Sequence, residues 1–399
     1  MRLLLAPNAF KGSVSAVGVA AIWESALAAV PDVETVARPL SDGGDGALEV
    51  WERLLQPGAD TGAGTGEADA AAEVLRVWFV ARAPLGERRR VPTLWRESTA
   101  EGWIESALAS GIALVPRERR DPLRATSAGT GQLLAGLLAL GAREVRLGLG
   151  GSATVDGGLG LARALGYRFL DGAGADVETP GNLPRLVAIE PPRERAWERA
   201  RIHALHDVRT RLLGRQGAVR VFGPQKLRPH DPAGSDALDR LEAGLERLAE
   251  RVASELGRDV AGLEGSGAAG GLGAGLAAFA GATLESGARH FLQLAGIPEL
   301  LAGRSGPPPD GVLTGEGSYD AQSGEGKAAG ELRALCARHG VPLAVIAGAA
   351  PGAEGELVLT GRDVGAGARL EEGALRALAV EAAARIARVR SALPRPGAE

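Results

Sequence analysis

The amino-acid sequence predicts an α/β fold built on a parallel sheet. Strand-like and helix-like segments alternate over the first 55 residues, and the alternation returns after the proline run at 307–309. Such alternation is typical of a parallel sheet, because each parallel strand needs a crossover, usually a helix, before the next one. The chain between these two ends has a different pattern, which indicates a second domain.

At the start of the chain, the apolar run 3–6 predicts a buried strand, and residues 15–30 have helical apolar spacing with Ser15 as a plausible cap. A second strand at 33–40 and a second helix at 47–55 complete the pattern. The Gly/Ala-rich segment 57–72 then marks a loop or a domain boundary.

The middle of the chain begins with a segment, 73–95, that is typical of a hairpin. Beyond it we predict helices at 131–140, 158–165 and 235–256 and a strand at 144–149. At the end of the chain, a strand at 311–314, a helix at 326–339 and a strand at 342–347 restore simple alternation, and the tail after 386 is expected to fray.

We therefore expect a Rossmann-like or flavodoxin-like parallel-sheet domain built from both chain ends, residues 1–72 and 290–399. A second, mixed α/β domain, residues 73–289, is inserted between them.

Composition excludes several classes of protein. The 399 residues are 45% hydrophobic and 24% charged with a net charge of −4, so nothing indicates a nucleic-acid partner. The single Cys336 excludes a disulfide framework and a cysteine-based zinc site. The first apolar run is too short for a signal peptide and no apolar stretch reaches membrane-spanning length, so we expect a cytoplasmic protein without a membrane partner.

Lysine and glycine are distributed unevenly. Of the 45 basic residues only Lys11, Lys226 and Lys327 are lysine, and each lies in one of the clusters formed by the 59 glycines. Lysine is a compact ammonium and arginine a planar fork, so a lysine retained in an arginine-rich chain indicates a position where arginine does not serve.

The first two clusters follow the first two predicted strands, where open α/β sheets bind ligands. In PNAFKGS (7–13), Lys11 and Ser13 could donate to a phosphate or a carboxylate, although an ordinary turn has the same pattern. In SDGGDG (41–46), Asp42 beside Gly43 and Gly44 suits a metal-bound nucleotide or a general base, and the alternative is a solvated turn.

A third cluster, GLGGSATVDGG (148–158), places glycines, two hydroxyls and a carboxylate between a strand and a helix, a pattern that resembles an anion-binding nest. It is not a Walker A loop, since no Gly-Lys-Ser/Thr follows, and it does not fit the dinucleotide fingerprint. Its candidate residues are Gly150, Gly151, Ser152, Thr154 and Asp156.

Two further clusters contain the other lysines. His206-Asp207 precedes VFGPQK (221–226) with Lys226, and the histidine is either a metal or acid–base residue or a structural one. The segment TGEGSYDAQSGEGK (314–327) carries Glu316, Asp320 and Lys327 and is typical of a second phosphate or metal cradle. Ammonium groups, acids and backbone N–H groups are together what phosphoryl transfer requires.

These motifs, in this order, resemble the bacterial glycerate kinase family, the glycerate 2-kinases. The matching stretches are PNAFKGSVSA (7–16), PLSDGGDG (39–46), ATSAGTGQL (125–133), LGLGGSATVDGGLGLARALG (147–166), HDV (206–208), VFGPQK (221–226), GSGAAGGLGAGLAAFAGA (265–282) and LTGEGSYDAQSGEGK (313–327). The resemblance implies ATP-dependent phosphorylation of D-glycerate, usually at the 2-hydroxyl, or of a closely related small hydroxy acid, and a flavodoxin-like domain with an inserted second domain.

Several positions depart from the pattern that the resemblance implies. Asn8 replaces an Asp, Val155 an Asn, His206 a Cys and Ser318 an Arg. Thr210-Arg211 stands in place of Asn-Pro, and Ala328 in place of Pro. The three lysines and the acids at 42, 156, 207, 316 and 320 match.

The resemblance assigns roles to these residues. Lys11 and Lys226 would hold the substrate carboxylate or the transferring phosphoryl group, and Gly150, Gly151, Ser152 and Lys327 the nucleotide phosphates. Mg²⁺ would lie near Asp42, Glu316 or Asp320, and the general base is Asp42 or Asp156. Ser13, Gly43, Gly44, Thr154 and Asp207 complete the expected substrate and nucleotide contacts.

Two alternatives remain open. Asn8, Val155 and Ser318 suit a catalytically silent relative that binds nucleotide or sugar acid as a sensor. A nicotinamide-dependent oxidoreductase would share the strand–glycine–helix turns, but it does not account for three lysines that all lie in glycine clusters.

Overall fold

The structure is a computed structural model that describes residues 1–10, 12–56, 73–319, 327–350, 357–364 and 369–392. The chain divides into two compact units. The first unit comprises 1–42, 49–71 and 288–399, and the second comprises 43–48 and 72–287. Part of the aspartate–glycine loop at 41–46 therefore belongs to each unit.

The first unit contains a parallel sheet to which both ends of the chain contribute. Its strands are β1 (Arg2–Leu5), β2 (Glu34–Ala37), β11 (Gly311–Ser318), β12 (Leu343–Ala349) and β13 (Val358–Thr360). Their order is β13-β12-β11-β1-β2, with every pair parallel. Strand β11 is longer than the predicted 311–314, because β12 pairs with it as far as Ser318 and the Asn8 backbone N–H donates to the Gly315 carbonyl on its other side.

Helices accompany this sheet, and the first and the last two of them bury apolar side chains against its strands. They are α1 (Ala16–Leu27), α2 (Ala47–Leu55), α9 (Gly287–Leu294), α10 (Ile297–Leu301), α11 (Ala328–His339) and α12 (Glu372–Ala392). Ser15 caps α1 by accepting a hydrogen bond from the Gly18 backbone N–H at 3.2 Å. The expectation that the tail frays after 386 was wrong, since α12 continues to Ala392 and its Ile386 is fully buried in the core with Trp23.

The second unit contains a mixed sheet and confirms the other half of the predicted fold class. Its strands are β3 (Leu75–Arg82), β4 (Arg88–Arg96), β5 (Glu101–Glu105), β6 (Glu144–Gly148), β9 (Arg201–His206) and β10 (Thr283–Ser286), in the order β10-β9-β6-β5-β4-β3. Strands β3 to β5 pair antiparallel, which confirms the hairpin predicted at 73–95, and the other pairs are parallel.

A smaller antiparallel pair and six helices complete the second unit. The pair is β7 (Arg168–Asp171) with β8 (Leu186–Glu190). The helices are α3 (Ala107–Ser110), α4 (Ala128–Ala139), α5 (Leu159–Ala164), α6 (Ala218–Phe222), α7 (Gly234–Leu256) and α8 (Ala268–Ala280). Their apolar faces form one large core with the sheet. Among the helices that the structure describes, none is both long and apolar enough to cross a membrane.

Candidate active-site residues

In the first unit, the predicted acids and Lys327 lie where the parallel strands end. Helix α1 leads from β1 to β2 on one side, and α11 leads from β11 to β12 on the other, so the connections diverge between β1 and β11. Open α/β sheets bind ligands at this switch point, beyond the carboxyl ends of the strands. Asn8 follows β1 directly, and its backbone N–H donates to the Gly315 carbonyl of β11 at 2.9 Å.

Asp42 is held at this edge by two hydrogen bonds. The Asn8 side-chain amide donates to its Oδ2 at 2.9 Å, and the backbone N–H of Ala328, the first residue of α11, donates to its Oδ1 at 2.7 Å. The positive end of a helix dipole stabilises a carboxylate in this position. Asn8, which departs from the family pattern, therefore orients Asp42 with its amide.

Lys327 and Glu316 form the other charged pair of this edge. Lys327 immediately precedes α11, and its Nζ lies 4.0 Å from Oε2 of Glu316. Glu316 lies on β11 and is only 9% exposed, whereas the Lys327 side chain is 36% exposed. The first unit thus brings Asp42, Glu316 and Lys327 to one edge of its sheet.

Three other residues predicted for the site belong to the first unit. Ser13 is exposed, and its hydroxyl donates to the Leu370 carbonyl at 3.2 Å. Lys11 and Asp320 lie outside the described residues.

In the second unit, the glycines of two loops let two stretches of backbone touch. A Cβ on Gly150 would lie 2.5 Å from Cα of Gly44, and one on Gly148 would lie 2.5 Å from the Gly43 carbonyl oxygen. Gly151 has φ +59, and a Cβ there would lie 2.1 Å from Oδ1 of Asp45. A side chain at these positions is therefore sterically excluded, and the glycines pack the 43–46 loop against the end of β6.

Glu105 holds the same loop, and sequence reasoning missed it. This carboxylate, 4% exposed at the end of β5, accepts hydrogen bonds from the backbone N–H groups of Gly46 at 3.0 Å and Leu48 at 2.9 Å. It thereby occupies the N-terminus of α2, a position that an anion would otherwise favour. Nothing in the sequence pairs Glu105 with a loop 57 residues earlier, because only the sheet brings them together.

Asp156 is buried and bonded entirely within the protein. Its carboxylate accepts hydrogen bonds from the Ser127 backbone N–H and hydroxyl, both at 2.8 Å, and from the backbone N–H groups of Gly158 and Gly160, both at 3.1 Å. Burial raises the pKa of this carboxyl, and the four donors oppose that change. Asp156 therefore ties the loop before α4 to the glycine turn before α5.

Lys226 is the most deeply buried cation of the predicted set. It is 3% exposed, and its Nζ donates to Oγ of Ser152 at 3.0 Å and to the Thr154 carbonyl at 2.8 Å. Burial lowers its pKa to about 7, with the charge of Asp156 acting in the opposite direction. Neither hydrogen-bonding partner carries a charge, so the ammonium lacks direct neutralisation from these contacts.

His206 and Asp207 lie at the end of β9, beside β6. His206 is buried, which lowers the pKa of its imidazole, while a hydrogen bond to Val208 acts in the opposite direction. Its ring packs against Gly265, where a Cβ would come within 2.2 Å of Nε2. In the described ranges, no three His, Cys, Asp or Glu side chains are grouped to hold a metal ion.

The chain is similar in sequence to the proteins of one family. A protein-family model described as "Glycerate kinase family" matches residues 3–57 and 50–389 of the sequence. The glycerate 2-kinase of Escherichia coli is 36% identical over 356 residues, which cover 87% of this chain and 85% of that protein. The glycerate kinase of Halalkalibacterium halodurans is 33% identical over 349 residues, which cover 87% of this chain and 85% of that protein.

A solved structure is similar over nearly the whole chain. The crystal structure of glycerate kinase 2 from Salmonella typhimurium LT2 has a TM-score of 0.73 at 32% sequence identity, and the match covers 98% of each chain.

Proposed function

Since this chain belongs to the glycerate kinase family and is a glycerate kinase, we propose that it transfers the γ-phosphoryl group of ATP to the 2-hydroxyl of D-glycerate. The relative named glycerate 2-kinase supports the choice of hydroxyl. We further propose that the enzyme acts in the cytoplasm on this small acid and needs no nucleic-acid or membrane partner.

The observation that carries the proposal is the position of Asp42. Its carboxylate is fixed between the Asn8 amide and the first N–H of α11, next to Lys327, at the switch point of the parallel sheet. An ionised carboxylate is a hydrogen-bond acceptor on both oxygens and can take up a proton. Asp42 can therefore take the proton of the substrate hydroxyl while the adjacent Lys327 compensates negative charge.

The donors at this edge fit Mg²⁺ and nucleotide phosphates. Mg²⁺ is usually held by one or two carboxylates together with substrate phosphates, and Asp42 and Glu316 supply hard oxygen ligands in the first unit. Asp320 is the third proposed ligand. When bound, Mg²⁺ neutralises charge on the transferred group, and Lys11, Lys327 and the Ser13 hydroxyl are proposed phosphate or carboxylate donors.

In the second unit, Lys226 is the proposed substrate-side cation. The backbone of Gly43, Gly44, Gly150 and Gly151, the hydroxyls of Ser152 and Thr154 and the carboxylate of Asp207 are the proposed groups around the ligands. Asp156 was one of two candidate bases. Because Asp156 is 1% exposed and its carboxylate accepts four hydrogen bonds, whereas Asp42 is partly exposed, we propose that Asp156 positions Ser127 and the glycine turn, and that Asp42 is the base.

An assay of ADP release tests this proposal. Purified protein with ATP, Mg²⁺ and D-glycerate is expected to release ADP, and NMR is expected to place the new phosphate on the 2-hydroxyl. If ATP and D-glycerate raise the melting temperature but no ADP appears, the chain is a sensor and the proposal fails. Phosphate on the 3-hydroxyl would contradict the regiochemistry.

A further inference from the structure

The second unit contains a narrow pocket that ends at Lys226. Its walls come from the turn of the β3–β4 hairpin, from the segment after α3, from the loop before α4 and from the 150–156 loop. The lining residues are Leu85, Ile112, Val115, Arg120, Asp121, Ala125, Ala153 and Lys226. Five of these are apolar, so the pocket has a low-dielectric wall with its polar groups confined to a few positions.

Two of the lining residues are cations with incomplete neutralisation. Lys226 donates to a hydroxyl and a carbonyl, and the opposing charge that acts on it is Asp156, whose carboxylate already accepts four hydrogen bonds. A buried cation held only by neutral oxygens is unfavourable unless an anion approaches it.

Arg120 is the second cation. Its Nη1 donates to the Gln225 carbonyl at 2.8 Å, which places the guanidinium next to the residue before Lys226. Its Nε is buried and has no hydrogen-bond partner among the residues that the structure describes. Asp121, the lining acid, accepts a hydrogen bond on Oδ1 from the Leu123 backbone N–H at 3.1 Å, and no described ion pair joins it to Arg120 within 4.0 Å.

We propose that this pocket binds the carboxylate of the hydroxy-acid substrate, and that Arg120 is the residue that selects a carboxylate over a neutral polyol. A guanidinium presents its N–H groups in a planar fork that matches a carboxylate, whereas the Lys226 ammonium acts as a point charge. The inference rests on the proposed function for the identity of the acid, but not for the chemistry of the pocket.

Side chains fill the pocket in the described conformation, so a ligand enters only when one of them moves. Arg120 is the residue best able to do so, because it is partly exposed and its guanidinium makes a single described hydrogen bond, to a backbone carbonyl. The orphaned Nε then gains an acceptor. This change of hydrogen-bond partners at Arg120, and not a preformed cavity, is the physical basis on which a carboxylate is selected over a neutral polyol.

Binding calorimetry without nucleotide tests the inference directly, with D-glycerate and glycerol as probes of the same carbon skeleton. The wild type is expected to bind D-glycerate and not glycerol. Arg120→Gln is expected to weaken D-glycerate binding by at least about tenfold, the usual size of a lost hydrogen bond to a charged group. Arg120→Lys keeps the positive charge but loses the planar guanidinium, and its affinity for D-glycerate is expected to lie between those of the wild type and Arg120→Gln.

The neighbouring Arg119 provides a matched control. Its side chain is 61% exposed and forms an ion pair with Glu87 at 2.8 Å, so Arg119→Gln is expected to bind D-glycerate as the wild type does. In turnover, Arg120→Gln is expected to raise KM for D-glycerate with little change in kcat, whereas a fold defect would lower kcat and the melting temperature together.

The outcomes separate this inference from the proposed function. If Arg120→Gln binds D-glycerate with the wild-type Kd, or if the wild type does not distinguish D-glycerate from glycerol, the pocket inference is overturned, whether or not ADP is released. If D-glycerate binding depends on Arg120 but the wild type releases no ADP, the pocket inference stands and the proposed function fails.

Discussion

Lys226 and Lys327 carry the same side chain but differ in exposure and in hydrogen-bonding or ion-pair partners. Lys327 lies at the start of α11 with 36% of its side chain exposed and a carboxylate, Glu316, 4.0 Å away. Lys226 is 3% exposed and is held by the Ser152 hydroxyl and the Thr154 carbonyl. One ammonium is paired with a carboxylate and accessible, and the other is buried with uncharged hydrogen-bond partners.

The difference indicates which lysine tolerates replacement. At an exposed helix start such as that of Lys327, an arginine can place its charge near the proposed nucleotide phosphates, because solvent leaves room for a larger group. In a filled pocket, a guanidinium overpacks its neighbours and cannot reproduce the two short contacts of an ammonium. The retention of lysine in this arginine-rich chain thus has a steric reason at 226 and a weaker reason at 327.

The largest expected effect is at Lys226. Lys226→Met removes the cation and leaves the Thr154 carbonyl without its donor, and we expect kcat/KM to fall by about a hundredfold to a thousandfold, as when a key charge-stabilising donor is deleted. Lys226→Arg is expected to lose nearly as much. Steady-state kinetics measures the effect, and circular dichroism serves as the folding control. Wild-type kinetics in Lys226→Arg would refute the steric explanation.

A smaller effect is expected at Lys327. Lys327→Met is expected to lower kcat/KM about tenfold, since an exposed charge is partly screened by solvent. Lys327→Arg is expected to recover most of that loss while remaining measurably below the wild type. The informative quantity at each position is the kcat/KM of the Arg variant divided by the kcat/KM of the Met variant. If the two positions gave the same ratio, the contrast between them would be lost.

Much of the fold was predictable because local patterns and tertiary structure agree. Helix α2 spans the predicted 47–55, and β3 and β4 form the predicted hairpin. Strand β11 was predicted too short because Gly315 and Gly317 are typical of a turn, whereas pairing with β12 keeps this segment extended. The chain stays helical beyond 386, where fraying was expected, because Ile386 is buried in the core.

The site was predictable only in part. Glycine clusters beside acids and lysines led to Asp42, Glu316 and Lys226, since such clusters follow strands in an open sheet. Glu105 and Arg120 have no such signal in the sequence. Their importance depends on partners brought near by the sheet, which are the Leu48 amide for Glu105 and Gln225, next to Lys226, for Arg120.

The pH dependence of kcat/KM follows from the burial of Lys226. Its pKa of about 7 lies below the unfolded value of about 10.4, so the folded protein releases this proton first as the pH rises. Stability relative to Lys226→Met is therefore expected to increase between these two pH values, because the unfolded chain holds the proton longer. Binding of an anion needs the charged form, so activity is expected to change in the opposite direction.

The central claim, that a charged and buried Lys226 receives the acid, is tested most directly by kcat/KM for D-glycerate measured from pH 6 to pH 9. We expect it to decline above pH 7, by about fivefold between pH 7 and pH 8 as the ammonium deprotonates. The groups that act on Lys226 or share its pocket, Asp156, Arg120 and Asp121, are unchanged in Lys327→Met, which is expected to show the same decline. A profile that stays flat across this range in the wild type, or that declines equally in Lys226→Arg, would contradict the claim.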